Sequence, residues 1–218
     1  VQVRGAATAV AVPLIEPGGD VSFVQYQGAN RQVSGAHCAD LPDCDVLLVQ
    51  GEVPAVASEQ AARVMRERGC IVLVNPAPVD DITDRLVSYA TVVCPNEMEA
   101  QVLVERGGKE APDDVAALAE ALRTEDRAAV ITLAGRGAVY ATGSQTSVVE
   151  PPEVSAVDAT AAGASFCAAL AVALAEEQPY DDAVRFACAA AAYATTVRGA
   201  EPSLPTRSQV EELLGPST

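Results

Sequence analysis

Three short segments carry residue types and spacings suited to handling phosphate. In residues 157–166, VDATAAGASF, a strand-like stretch ends at Asp158, and Thr160, Ala161, Ala162 and Gly163 open a long helix. Small side chains at a helix start let an anion approach the free N–H groups closely, so this is a candidate phosphate cradle made of backbone. Alanine and glycine also start helices merely to pack, and the motif alone does not separate the two uses. In CPNEMEA, Asn96 and Glu99 stand at the start of a helix directly after the strand TVVC. The helix dipole favours a carboxylate in any first turn, which explains Glu97 as readily as Glu99. The chemical alternative is that Asn96 and Glu99 hold a hydrated magnesium ion near phosphates, because magnesium keeps most of its waters and needs few protein oxygens. In ITLAGRG, Thr132 ends a strand, and Gly135 and Gly137 permit a tight turn. All three segments put small or polar residues at the carboxyl ends of strands, where open α/β sheets bind ligands.

The elements that would position these segments are legible along the chain. Residues 7–15 and 21–27 are short β-branched runs separated by Pro17, Gly18, Gly19 and Asp20 and closed by Gly28, Ala29 and Asn30, which predicts a hairpin. Continuous apolar runs at 45–50, 70–75, 91–94 and 128–133 predict strands buried on both faces. Helical periodicity fills the intervals: 58–69 with Ser58 as its cap, a short helix over DRLVSYA, 96–108, and 113–123. AVYAT and TSVVE read as an antiparallel pair. Two long Ala-rich helices follow at about 161–177 and 180–198, with a short one ending near Leu214. Strand alternating with helix predicts an α/β fold with a mostly parallel sheet, right-handed crossovers and helices on both faces. No linker, repeat or low-complexity tract divides residues 1–218, so one domain is expected.

Composition narrows the setting. Half of the 218 residues are hydrophobic and none is tryptophan, so the core must be built from Ala, Val and Leu. A formal charge of −16 argues against nucleic acid and against an anionic membrane surface as partners. It does not exclude a phosphorylated ligand, which backbone dipoles and a metal ion can bind inside a negative protein. No uninterrupted apolar run reaches the roughly eighteen residues of a membrane span, and no signal peptide is visible. Six cysteines are scattered in apolar surroundings without a CxxC pair, as expected of buried free thiols in a reducing, cytoplasmic compartment. His37, Cys38 and Cys44 lie close together, but their irregular spacing is a weak metal signal. The chain begins at Val1 rather than Met, so a start upstream is expected.

Taken in order, VNPAP (74–78), CPNEMEA (94–100), ITLAGRGAVYA (131–141), AVDATAAGASF (156–166) and FACAAAAYATTVRGAEPSLP (186–205) resemble the ribokinases of the PfkB-type carbohydrate kinase superfamily. The similarity runs over essentially the entire chain. It implies a three-layer αβα sandwich with a mostly parallel central sheet and a remnant of a small β-lid (about 7–30) beside a nucleotide-binding core (about 45–214). It also implies transfer of the γ-phosphoryl of ATP to a sugar hydroxyl, with ribose the leading substrate. By position, Gly163 with Ala161 and Ala162 resembles the anion hole, and Asn96 and Glu99 match an Asn-x-x-Glu element near Mg2+ and phosphate. Thr132 and the 134–137 turn, with Gly135 and Gly137, resemble nucleotide phosphate and ribose contacts, Cys188 falls in the adenine pocket, and Glu52 falls near the sugar. Asp158, Thr160, Ala194, Val197, Gly199 and Ser203 fall where ribokinases surround a monovalent cation such as K+.

The resemblance departs from the family in two places. The signature places a catalytic Asp after the anion-hole glycine, and here Ala164 stands there; a methyl cannot accept a proton. The family's N-terminal third, with its Gly-Gly-rich sugar motif, has no counterpart in this sequence. The reading is therefore a nucleotide-binding pseudokinase or impaired kinase. The alternatives are an active kinase seen in truncated or engineered form, and a non-enzymatic module that forms a homodimer through exposed lid strands.

Overall fold

The computed structural model describes residues 4–15, 21–38 and 41–215. Eight strands are present among them: β1 (Val10–Ile15), β2 (Val21–Tyr26), β3 (Val46–Val49), β4 (Ile71–Val74), β5 (Val92–Val93), β6 (Ala128–Thr132), β7 (Ala138–Ala141) and β8 (Thr146–Val149). The seven helices are α1 (Ala55–Glu67), α2 (Asp84–Tyr89), α3 (Glu97–Arg106), α4 (Val115–Leu122), α5 (Ala162–Ala175), α6 (Tyr180–Thr195) and α7 (Arg207–Leu214). Strands β3 to β8 form one six-stranded sheet in sequence order. β3, β4, β5 and β6 run parallel, β7 pairs antiparallel with β6, and β8 pairs antiparallel with β7. The expected α/β sandwich with a mostly parallel sheet is the observed one.

Side chains alternate across each strand, and both faces are covered. Leu73, Val92, Cys94, Val130 and Tyr140 pack against α5 and α6. Their neighbours Val93, Ala129, Ile131 and Val139 face α3 and α4, while Val72 and Val74 face α1 and α2. This two-sided burial is why the strand sequences read as unbroken apolar runs. Four alanines of α5 and α6, Ala173, Ala183, Ala187 and Ala190, are fully buried in the cluster that these helices share with the sheet. Tyr140 is the largest fully buried side chain. It stacks on Tyr180 at 6.0 Å between ring centroids, and its hydroxyl donates to Asp181 Oδ1 at 3.3 Å.

Several expectations need correction. Helix α1 begins at Ala55, directly after Pro54 at φ −52, three residues before the expected Ser58 cap. Proline's fixed φ pre-sets a helix entry without any side-chain cap. Ser58 is instead buried inside α1, with no hydrogen-bond partner for its hydroxyl among the described residues. The two Ala-rich helices end earlier than expected, at Ala175 and Thr195. Five cysteines are buried, but Cys44 is exposed in the turn before β3, its sulfur 3.5 Å from that of Cys70. Among the described residues, no three potential metal ligands gather near His37, Cys38 and Cys44; His37 Nδ1 instead accepts the Ser34 N–H at 3.0 Å. No helix of the described residues is long and apolar enough to cross a membrane.

β1 and β2 form a separate antiparallel ribbon, with Val10 opposite Tyr26 and Val12 opposite Val24. The turn residues Pro17, Gly18, Gly19 and Asp20 lie outside the described residues. The expected closure at Gly28 is a short 3-10 turn. Gly28 has φ +45, and a Cβ there would sit 2.3 Å from the Ala7 carbonyl oxygen, so only glycine fits.

Candidate functional site

The start of α5 is built to leave donors free. Ala161, the residue before the helix, adopts a left-handed conformation (φ 66) and offers no side-chain cap. The Ala162 N–H reaches Ala159 O at 3.2 Å and the Ser165 N–H reaches Ala161 O at 2.8 Å. The N–H groups of Gly163 and Ala164 between them have no acceptor among the described residues, and both residues are exposed. A Cβ built on Gly163 would meet nothing within 4 Å, so the space over these donors is open. Two free N–H groups at the positive end of a 14-residue helix make this a candidate anion cradle.

The approach to the cradle is pinned by Asp158. Its Oδ1 accepts the Thr160 N–H at 2.9 Å and the Thr160 hydroxyl at 2.6 Å, and its Oδ2 accepts the Gly199 N–H at 2.9 Å. These bonds, the Thr160 hydroxyl foremost, hold the carboxyl at about 2, below the usual carboxylate range. The Val157 and Asp158 N–H groups both donate to Thr195 O, tying the segment to the end of α6. The left-handed Ala161 is strained for an L-residue. Ala161→Gly is therefore expected to stabilise the fold by about 0.5–1 kcal/mol, net of the added chain entropy, as a rise in the urea midpoint would show.

Asn96 and Glu99 are engaged with each other. Asn96 Oδ1 accepts the Glu99 N–H at 2.8 Å, and Glu99 Oε2 accepts the Asn96 N–H at 2.8 Å. This reciprocal capping box was readable from the Asn-x-x-Glu spacing itself. It leaves Glu99 Oε1 without a partner among the described residues, and burial raises the Glu99 carboxyl above its ordinary value. Asn96 also pairs with Thr132 in a parallel bridge, which joins the entry of α3 to the end of β6. Beyond Thr132 the chain turns tightly through Ala134 (φ 51) and Gly137 (φ 90), and the Leu133 N–H donates to Gly137 O at 2.8 Å.

These pieces face one cleft of about 1570 Å3, lined by Asn96, Thr132, Gly135, Gly137, Ala162, Gly163 and Cys188. Seven of the residues singled out from sequence are thus brought together. Cys188 closes its floor, and burial pushes its thiol up to about 12. Ala161, Ala164 and Glu99 adjoin this wall without lining it. Asp158, Thr160 and Gly199 form the knot described above, while Ser203 is buried and its hydroxyl donates to Ala200 O at 2.7 Å. Ala194 is buried in α6 and Val197 follows it half-buried. Glu52 lies elsewhere, in a smaller cleft of about 200 Å3 with Ala9, Val10, Ala11, Gln25, Tyr26 and Gln27 of the ribbon. The Asn30 side chain donates to Glu52 O at 3.1 Å, which docks the end of the ribbon on the core. The cleft wall also carries Arg136, within the 134–137 turn read from sequence, and the carboxylates Glu97, Glu150 and Glu153, to which the sequence reading gave no role in the site.

A three-layer sandwich with a helix N-terminus open at the carboxyl edge of its sheet suits an anionic ligand, and comparison places the architecture. The model of the pfkB family of carbohydrate kinases matches residues 1–207, and the chain belongs to that family. Within it, the chain is 34% identical to the ribokinase of Haemophilus influenzae over 214 residues, covering 95% of this chain and 69% of that protein. It is 31% identical to the ribokinase of Schizosaccharomyces pombe, covering 96% and 69%. The fold superimposes on a Thermotoga maritima ribokinase with a TM-score of 0.86 at 30% identity, covering 96% of this chain and 70% of that one. It matches an Arabidopsis thaliana ribokinase complexed with ribose and ATP with a TM-score of 0.84 at 26% identity, covering 98% and 71%. The scaffold is that of a ribokinase-like carbohydrate kinase.

Proposed function

We propose that this chain binds ATP or ADP in the large cleft and transfers phosphate to ribose or a related sugar weakly or not at all. The observation that carries the reading is Ala164. It sits exposed in the first turn of α5 beside the free N–H groups, at the position where the family signature has its catalytic aspartate. The anion cradle needs only backbone and survives this residue. Proton removal from a sugar hydroxyl does not, and a general base typically contributes about 10²–10⁴-fold.

In this reading Gly163 and the Ala164 N–H receive phosphate, Thr132, Gly135 and Gly137 hold the nucleotide, and Cys188 lies under the adenine. Asn96 and Glu99 fit a magnesium neighbourhood, because Glu99 is half-buried, raised, and has one oxygen uncommitted. Bound there, magnesium would neutralise phosphate charge. Asp158 has both oxygens committed to Thr160 and Gly199 donors. It would influence a potassium ion by its charge and by fixing the loop, leaving direct contacts to carbonyls of residues such as Ala194, Val197 and Gly199. Glu52 and the ribbon would face the sugar, with residues 7–30 acting as a lid on the core at 45–214. Free, largely buried thiols suit a cytoplasmic setting.

Calorimetric titration with ATP and ADP, with magnesium and potassium present, tests the reading. Micromolar-range binding, abolished in Gly163→Leu without loss of thermal stability, is expected, since that side chain would fill the cradle and touch nothing else. Absence of binding up to millimolar nucleotide in the parent chain would overturn it.

One observation favours an added role in assembly. Val10, Val12, Leu14, Val24 and Tyr26 of the ribbon are all about half exposed or more. The register puts them on one face, an unpartnered apolar surface of the kind that marks contacts between chains. A homodimer joined through this face predicts a doubled mass in sedimentation that Val12→Lys reverts to the monomer; a monomeric parent would exclude it.

A further inference from the structure

Among the described residues that line the large cleft, Arg136 is the only cation. It shares the wall with three carboxylates, Glu97, Glu150 and Glu153, in a chain whose formal charge is −16. A polyphosphate entering this cleft therefore meets net repulsion from side chains, and Arg136 is the one fixed charge of opposite sign. Arg136 stands in the β6–β7 turn between Gly135 and Gly137, and its guanidinium is ion-paired with Glu97 in the first turn of α3. That pair ties the two segments that also supply Thr132 and Asn96. The Arg136 side chain is 62% exposed and makes no other hydrogen bond or ion pair among the described residues. It is thus free to change partner at little expense.

We propose that Arg136 is a nucleotide-positioning residue which exchanges Glu97 for the phosphate tail of the nucleotide, with the Glu97 pair holding it in readiness when the cleft is empty. The inference rests on the nucleotide-site reading above and adds a selectivity to it: the cleft favours nucleoside polyphosphates over the uncharged nucleoside through this side chain. A guanidinium presents donors in a fixed fork that matches phosphate oxygens, which an ammonium does not. Glu97 acts as an internal competitor, so its carboxylate lowers phosphate affinity while keeping Arg136 aimed at the cleft.

The test is equilibrium titration of the parent chain, Arg136→Ala, Arg136→Lys and Glu97→Gln with ATP and with adenosine, each at low and at high salt. Arg136→Ala is expected to weaken ATP about tenfold, the lower range for one charge-assisted contact, and to leave adenosine unchanged. Arg136→Lys is expected to recover part of the loss. Glu97→Gln is expected to tighten ATP about threefold at low salt, a gain that high salt removes. ATP affinity equal in Arg136→Ala and the parent would overturn the proposal and leave the nucleotide site standing. Equal losses for ATP and adenosine would also overturn it, by showing that Arg136 only shapes the turn. A parent chain that binds neither ligand would overturn the underlying site reading and this proposal with it.

Discussion

Ala164→Asp is expected to raise ATP-dependent phosphorylation of ribose by about two to four orders of magnitude, the range a well-placed general base supplies. The position is prepared for the change. Ala164 is exposed, so a larger side chain displaces nothing. It lies in the first turn of α5, where the helix dipole favours a carboxylate, so folding should not suffer. The free N–H groups of Gly163 and of residue 164 itself already face the open space in which a phosphoryl group would sit. Coupled detection of ADP, run with ribose and with ribose omitted, separates sugar phosphorylation from hydrolysis. A flat result in a chain that still binds ATP would mean that the missing carboxylate is not the limiting defect.

Gly137→Ala carries the largest expected effect on stability. Gly137 has φ +90, a conformation that L side chains rarely adopt, and an added Cβ would lie 2.0 Å from Val149 O and 2.9 Å from Pro151 Cδ. Both obstacles are backbone or ring atoms at the exit of β8, not the tips of flexible side chains. Relief requires the β6–β7 turn to move away from the edge of the sheet, breaking the Leu133 to Gly137 hydrogen bond. A loss of about 3 kcal/mol or more is expected, seen as a fall in Tm of roughly 6–12 °C for a chain of this size. Gly135, two residues earlier, meets nothing within 4 Å, and Gly135→Ala in the same turn serves as the mild control. A difference of less than about 1 kcal/mol between the two would mean that the turn is not held where the cleft requires it.

Much of this architecture was legible because burial on both faces writes itself into sequence as unbroken apolar runs. The strands at 71–74 and 128–132, and the small residues ahead of α5, could be read without coordinates for that reason. The features that escaped depend on pairs distant in sequence or on backbone angles that no side chain advertises. The Arg136–Glu97 pair joins positions 39 residues apart. The left-handed turns at Ala134 and Ala161 lack the glycine that normally signals positive φ. The entry of α1 was misplaced because a Ser that looked like a cap is an interior residue, and the proline before it sets the backbone instead. At Asn96 and Glu99 one spacing carries two readings. The spacing that suggested a cation site is also the spacing of a capping box, and the box is what the two residues form.

The buried alanines of α5 and α6 invert the usual vulnerability of a protein interior. Most cores are damaged by truncation, because removing methylenes leaves cavities. Here Ala173, Ala183, Ala187 and Ala190 have almost nothing to lose. These methyls are fully buried in one cluster with Phe166, Leu170, Leu174 and Val184, so an enlargement there has little room and costs about 1–3 kcal/mol per site. The end of α6 also anchors Val157 and Asp158 through the Thr195 carbonyl, so a wedge driven between these helices would be felt at the segment that leads into α5. Sequence drift at these positions is therefore confined from above by volume: those that tolerate least are the ones with the smallest side chains.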